Sequence, residues 1–213
     1  HTYSEVISIR GIGSERVRCV GCGVNQTDSK ELRRKGDKKF YDAASGGNII
    51  TSIAISNGNS AANFWHYDEL AGTFTVAVSD NSSAPDGAAG IADATDSLIV
   101  IPAAAAALFL NHPSTVPANT RAAYTVTRKD AFGNLVTSGI TAVSLSSNST
   151  GGYKFYDAAS GGNVITSIFI TNGDYSADFW YFDDAPGTWN IAASSAPLPP
   201  AVDSLTVTVS ATK

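Results

Sequence analysis

The sequence has no Met, only two Cys and three His among its 213 residues, and no long unbroken apolar run. Because a membrane-spanning helix needs about 20 apolar residues in a row, no such helix is expected. Two Cys cannot supply the four ligands of a structural zinc site or a scaffold of several disulfides. Since Met is absent, we expect that the chain does not begin at its translation start, which removal of a leader or trimming would explain.

Lys and Arg are absent from residues 40–120, and only 15% of all residues are charged. Residues 1–39 hold nine basic and five acidic residues (+4), and residues 40–213 hold five and fourteen (−9), which together give the net charge of −5. The acidic total argues against nucleic acid as a partner. A basic head on an acidic body suits head-to-tail contact between copies, and a solvated basic loop explains it equally well.

Two stretches of the chain repeat each other. Residues 39–79 and residues 154–194 are identical at 25 of 41 positions without a gap. A duplication this close indicates two tandem copies of one folding unit. With 43% hydrophobic residues, each copy can bury its own core without a metal or several disulfides. We therefore predict two domains, residues 1–102 and residues 103–213.

Short apolar segments separated by turns of Gly, Asn and Asp indicate strands, and helix-forming residues are sparse. Residues 49–56 place alternate apolar side chains on one face, which predicts a single strand there and another in the repeat at residues 164–171. Seven or eight short strands in about 110 residues are typical of an immunoglobulin-like sandwich. The predicted fold class is all-β, with two tandem immunoglobulin-like β-sandwich domains.

The repeated block begins with KFYDAASGGN and continues through ITSI, an Asn-Gly turn, Phe-Trp and Gly-Thr. It resembles the repeated Ig-like domains of large bacterial surface and secreted proteins. Residues 119–134, NTRAAYTVTRKDAFGN, resemble the invasin-type pattern of a strand followed by a D-x-x-G-N turn. The resemblance covers most of residues 39–213 and implies an extracellular or cell-surface protein. Such families include adhesins, surface-layer proteins, filament subunits and spacers of secreted enzymes, so it implies no single function.

The first domain is shorter at its front than the second. Thirty-nine residues precede Phe40, whereas about fifty residues of the second domain precede Phe155. The first sandwich is therefore predicted to lack its first strand, which a neighbouring copy could supply by strand addition. Residues 1–10 are the predicted donor, and the alternative, that they fold back into their own domain, stays open. The predicted inter-subunit residues are His1, Tyr3, Val6, Ile7, Ile9, Arg33, Arg34 and Lys35.

Cys19 and Cys22 form a C-x-x-C-G motif. In an exported protein the expected state of such a pair is a local disulfide. A disulfide to a neighbouring subunit and half of a metal site are the alternatives, and the second lacks the other two ligands that zinc requires.

Acidic residues recur at the same places in both copies. They could line a calcium site between loops, and capping of turns explains them equally well. The weak calcium candidates are Asp42, Asp68, Asp157 and Asp183. We predict no cofactor.

Phe64 and Trp65 alternate along a predicted strand, as do Phe179 and Trp180 in the repeat. One member of each pair therefore faces the core and the other faces outward. An outward ring could bind a cell-surface glycan, although packing inside the protein is more common for Trp. No nucleophile motif with partner residues is present, so we do not expect an enzyme.

These observations predict an extracellular structural protein, a subunit of a pilus-like surface filament or of a surface layer. Its expected partner is other copies of itself, joined by strand exchange. The alternative is an adhesin or carbohydrate-binding module, or a spacer of a larger secreted protein.

Overall fold

The computed structural model describes residues 4–8, 22–27, 38–56, 59–80 and 90–210, and for 4–8 and 22–27 it describes the backbone alone. All regular structure in these residues is β-strand. The predicted all-β class is confirmed. In this part of the chain, no helix has the length and apolar character needed to cross a membrane. The chain divides into two compact units, His1–Ile101 and Pro102–Lys213.

The described part of unit 1 has eight strands in two sheets. In chain order they are β1 (Ser4–Ser8), β2 (Cys22–Thr27), β3 (Lys39–Tyr41), β4 (Ile49–Ile50), β5 (Ser52–Ile53), β6 (Asn63–Tyr67), β7 (Gly72–Ser79) and β8 (Ala94–Val100). One sheet has the order β1-β6-β3-β4 and the other has the order β5-β2-β7-β8. All of these pairs are antiparallel.

Unit 2 has ten strands in its described residues. They are β9 (Ala107–Asn111), β10 (Thr115–Pro117), β11 (Arg121–Lys129), β12 (Thr141–Ser147), β13 (Lys154–Tyr156), β14 (Val164–Ile165), β15 (Ser167–Ile170), β16 (Ser176–Phe182), β17 (Gly187–Ser194) and β18 (Ala201–Thr208). One sheet has the order β14-β13-β16-β11-β9 and the other has the order β10-β18-β17-β12-β15. The β10–β18 pair is parallel.

The core of unit 2 lies between its two sheets, because both sheets contribute side chains to a single buried cluster. The first sheet contributes four aromatic rings. The Tyr124 ring stacks on Phe179 with centroids 5.0 Å apart, and Phe155 meets Phe179 edge-on at 5.8 Å. Alternate residues of each strand face this cluster, as expected for a sheet with one covered face.

Unit 1 has a smaller core with the same design. Phe40, Phe64, Val76 and Leu98 form its buried cluster. The Phe40 and Phe64 rings meet edge-on with centroids 5.7 Å apart. These residues come from both sheets of unit 1, so this unit also buries its core between two layers.

Residues 49–56 and residues 164–171, each predicted as one strand, each contain two short strands that belong to different sheets. In unit 2, β14 pairs with β13 and β15 pairs with β12, and Thr166 lies between them. Ile165 and Ile168 both pack against the core, although a continuous strand would place them on opposite faces. The prediction was wrong because the alternation of inward and outward side chains shifts by one residue at Thr166. At this residue the chain crosses from one sheet to the other.

Candidate assembly site

The repeat allows the strands of unit 1 to be matched to those of unit 2. Strands β6, β7 and β8 correspond to β16, β17 and β18, and β1 and β2 take the places of β11 and β12. Within the described ranges, no strand of unit 1 takes the place of β9 or β10. Among the residues that the structure describes, unit 1 therefore has no counterpart of this segment of unit 2.

In unit 2, residues 107–117 close this side. β9 pairs with the outer edge of β11, and β10 pairs with the outer edge of β18. Leu108 of β9 and Val116 of β10 are buried in the core cluster together with Val207 of β18, which is 2% exposed. A single segment thus pairs with an edge of both sheets and covers the core between them.

In unit 1, no described strand pairs with the outer edge of β8. Ile99 is 66% exposed and Ile101 is 74% exposed. Val100, the counterpart of the buried Val207, is only half-buried. We call this feature, Ile99 to Ile101 on the outer edge of β8, the open edge. An exposed edge with aliphatic side chains favours pairing with another strand.

Residues 4–8 pair with β6 and not with the open edge. In β1, Val6 is opposite Trp65 and Ile7 is opposite Phe64 of the same chain. The fold-back arrangement is therefore the one observed for residues 4–8, and this pairing does not support their donation to a neighbouring copy. The remaining predicted inter-subunit residues lie outside the described residues: His1, Tyr3, Ile9, Arg33, Arg34 and Lys35.

The predicted disulfide between Cys19 and Cys22 also lies outside the described residues. Cys22 begins β2, of which only the backbone is described, and Cys19 precedes it. The disulfide therefore stays a prediction.

Two of the calcium candidates hold the repeated turn together. The Asn163 amide donates to Asp157 Oδ1 at 2.7 Å, and Asn163 Nδ2 donates to Asp157 Oδ2 at 2.9 Å. Asp42 accepts the same two bonds from Asn48 in unit 1. The bond from the Asn side chain, followed by that from its amide, keeps the pKa of each Asp below its ordinary value. Both oxygens of each carboxylate thus bind within the turn.

The turn needs glycine where it passes this carboxylate. Gly162 has a φ of 70°, which side chains of L residues rarely adopt. A Cβ at Gly162 would lie 2.3 Å from Asp157 Oδ1. In unit 1, a Cβ at the counterpart Gly47 would lie 2.6 Å from Asp42 Oδ1, and Gly46 before it has a φ of 68°.

The other two calcium candidates cap turns after β6 and β16. Asp68 Oδ1 accepts from the Leu70 amide at 2.8 Å, and Asp183 Oδ1 accepts from the Ala185 amide at 3.0 Å. The buried Asp183 also accepts a bond of 2.5 Å from the Tyr181 hydroxyl. Among the described residues, no three His, Cys, Asp or Glu side chains are grouped so that they could hold a metal ion.

The Phe-Trp alternation places Phe inward in both units. Phe64 and Phe179 are buried, and Trp65 and Trp180 are half-buried on the outer face. Trp180 lies opposite Tyr156 of the neighbouring strand. The Arg121 guanidinium lies 3.4 Å from the centroid of the Tyr156 ring. It therefore covers a face of the ring that a sugar would stack on.

His66 is expected to make the stability of unit 1 depend on pH. Its side chain is buried where unit 2 has Tyr181, and burial lowers its pKa below the ordinary value of about 6.5, against a smaller opposing effect of Asp68 and an additional lowering by Lys38. Below about pH 6.5 the unfolded chain therefore binds a proton that the folded chain does not. We expect the free energy of unfolding of unit 1 to fall by up to about 1.4 kcal/mol per pH unit from there down to the folded pKa.

Urea unfolding at pH 7.5, 6.0 and 5.0 measures this dependence. The matched variant His66→Tyr carries the residue of the second copy and does not titrate in this range. The free energy of unfolding of this variant should therefore lack the part of the pH dependence that His66 contributes. Equal pH dependence of the two proteins would contradict the role of His66.

The sequence did not reveal the most extensive polar contact of unit 2. Arg128, on β11, is 1% exposed. Its guanidinium donates to the carbonyls of Val136, Gly139, Thr171 and Asp174 and to the Thr141 hydroxyl, at 2.8 to 3.1 Å. This side chain joins the loops at one end of the sandwich. The alternation of side chains along β11 could have indicated that Arg128 is buried, because Tyr124, Val126 and Arg128 share one face of this strand.

No protein-family model and no curated protein sequence matches this chain. Solved structures resemble it at low identity. A glycosyl hydrolase family 2 member from Bacteroides cellulosilyticus aligns at 12% identity and a TM-score of 0.42, over 80% of this chain and 21% of the hydrolase. The D0-D1 domain of intimin aligns at 14% identity and a TM-score of 0.36, over 96% of this chain and 90% of that one. The Yersinia pseudotuberculosis adhesin InvE aligns at 14% identity and a TM-score of 0.40, over 90% and 55%.

The chain spans between 18% and 25% of the length of the first four structures that it matches, all of them glycosidases. At these TM-scores the likeness does not define the fold. The architecture of this protein is defined by its own strand order and core.

Proposed function

We propose that this protein is a non-enzymatic, extracellular structural protein that assembles with copies of itself into a surface filament or surface layer by strand addition. Its two units are interpreted as tandem immunoglobulin-like domains. In such domains, strands A, B, E and D form one sheet, and strands C, F and G form the other. The order β9-β11-β16-β13 and the order β18-β17-β12 of unit 2 fit this arrangement.

The observation that carries the proposal is the difference between the two copies. Unit 2 closes its side with residues 107–117, and at the same place in unit 1 no strand of the described ranges pairs with β8. Unpaired backbone groups and exposed aliphatic side chains on a strand edge are a template for another chain. Strand addition would supply backbone hydrogen bonds and cover Val100 at the same time.

Assembly should be visible in solution. We expect species larger than a monomer by light scattering during size-exclusion chromatography, and filaments or sheets by electron microscopy. The double variant Ile99→Lys/Ile101→Lys places charges on the open edge and should shift the protein to monomers, because charged edges oppose strand pairing. Val202→Lys, at a residue of unit 2 that is 56% exposed, is the matched control and should assemble normally.

A protein that stays monomeric at every concentration would contradict this function and favour a spacer. Assembly that both variants leave unchanged would place the contact elsewhere on the molecule.

Carbohydrate binding has less support from the described residues. Trp65 and Trp180 do face outward, as a glycan platform requires. They are only half-exposed, however, and Arg121 covers Tyr156 beside Trp180. The open edge therefore supports assembly more directly than this face supports sugar binding.

A further inference from the structure

We propose that the open edge of β8 binds an extended segment that runs parallel to it, with an aliphatic side chain beside Val100. The occupant is a strand from another chain with the chemistry of residues 107–117. This inference rests on the proposed function in one respect, namely that the open side of unit 1 is filled in the assembled state. It adds the direction, the register and the side-chain requirements of the incoming strand.

The register follows from the repeat. Val100 is opposite Gly72 in unit 1, and Val207 is opposite Gly187 in unit 2, so Val100 and Val207 are equivalent. The residue before Val207 is Thr206, which corresponds to Ile99. The residue after it is Thr208, which corresponds to Ile101.

In unit 2, the backbone groups on the equivalent edge of β18 form hydrogen bonds with β10 and the residues that flank it. The Thr206 amide donates to the Ser114 carbonyl at 3.1 Å, and the Thr208 carbonyl accepts from the Ala118 amide at 2.8 Å. These bonds fix the parallel direction, since Thr115, Val116 and Pro117 lie in order beside residues 206–208. By equivalence, the Ile99 amide and the Ile101 carbonyl are the groups that an incoming strand would bind.

The side chains indicate an apolar occupant. In unit 2, Val116 is buried beside Val207. An incoming strand therefore needs an aliphatic residue at that position to cover the half-buried Val100. Where unit 2 has Thr206 and Thr208, unit 1 has two Ile residues whose side chains are mostly exposed. Aliphatic side chains flanking an open backbone edge favour another protein strand over solvent.

A synthetic peptide of residues 105–119 tests this site on the full chain. Hydrogen exchange at single amides, followed by NMR, reports which edge the peptide binds. At a peptide concentration about ten times its Kd, exchange of the Ile99 amide should slow about tenfold. A peptide with Val116→Asp should give no protection, because it would place a charge against the core.

The chain variants separate the backbone contact from the side-chain contact. Ile99→Pro removes the donor, and an outward-facing Pro is tolerated on an edge strand. It should bind the peptide about tenfold more weakly. Ile99→Thr copies Thr206, keeps the amide and should retain most of the affinity. If Ile99→Pro does not fold, the comparison of the two peptides decides the question.

The outcomes distinguish this inference from the proposed function. Protection of Thr206 in place of Ile99 would mean that the peptide displaces β10 of unit 2, and it would overturn the proposal. An assembling protein whose Ile99 amide is not protected would also overturn it, and assembly would then use another surface. A monomeric protein with peptide protection at Ile99 would support the binding site and contradict self-assembly.

Discussion

Replacing Arg128 with Met should lower the free energy of unfolding of unit 2 by about 3 kcal/mol. Arg128 is 1% exposed, and its guanidinium donates five hydrogen bonds to the β11–β12 loop, the start of β12 and the β15–β16 loop. Without it, the buried Val136 carbonyl loses its donor. The acceptors at Gly139, Thr171 and Asp174 belong to exposed residues, where water can replace part of the loss. The expected cost is therefore well below the sum of five bonds.

Urea unfolding of the full chain, followed by circular dichroism, measures this loss. Arg121→Met is the matched control, since Arg121 donates only to the Ala158 and Gly161 carbonyls of one turn. It should cost about 1 kcal/mol. Arg128→Lys keeps the charge but cannot reproduce the five-donor geometry, so it should fall between the two. Equal effects of the two Met variants would mean that Arg128 does not hold the loops.

The contrast between Arg128 and its neighbours illustrates what sequence patterns predict. Alternation along β11 places Tyr124 and Val126 in the core, and the structure agrees. The same alternation places Arg128 inward. Charged residues are almost never fully buried, however, so the residue type argues against a buried Arg128. The conflict is resolved by carbonyls from loops that are distant in sequence, such as Asp174. No local pattern of β11 contains that information.

The candidate site was predictable only in part. The shortage of residues before Phe40 predicts a missing strand in the first domain, and this stays a prediction. This shortage could not indicate which edge would lack a partner, because the position of β8 at the edge depends on the order of the strands in its sheet. The sequence left open whether residues 1–10 are donated to a neighbour or fold back, and Ser4–Ser8 pair with β6 of the same chain. Pairing partners in a sheet depend on non-local contacts that alternation does not encode.

Replacing Phe179 with Ala should lower the free energy of unfolding of unit 2 by about 4 kcal/mol. Phe179 is 0% exposed and contacts the rings of Tyr124 and Phe155. Truncation would leave a cavity beside these two rings, which belong to the same sheet, and its backbone pairing limits collapse around the cavity. The loss is measured by urea unfolding at a pH near 7.5.

Trp180→Ala is the control, because Trp180 is the next residue of the same strand and faces outward. It should cost about 1 kcal/mol, mainly through lost contact on a half-exposed sheet face. Trp is the larger side chain, so residue size alone would predict the opposite order. If Trp180→Ala were the more damaging change, the inner and outer faces of β16 would be exchanged. The same test on Phe64 and Trp65 would decide whether unit 1 uses the same face for its core.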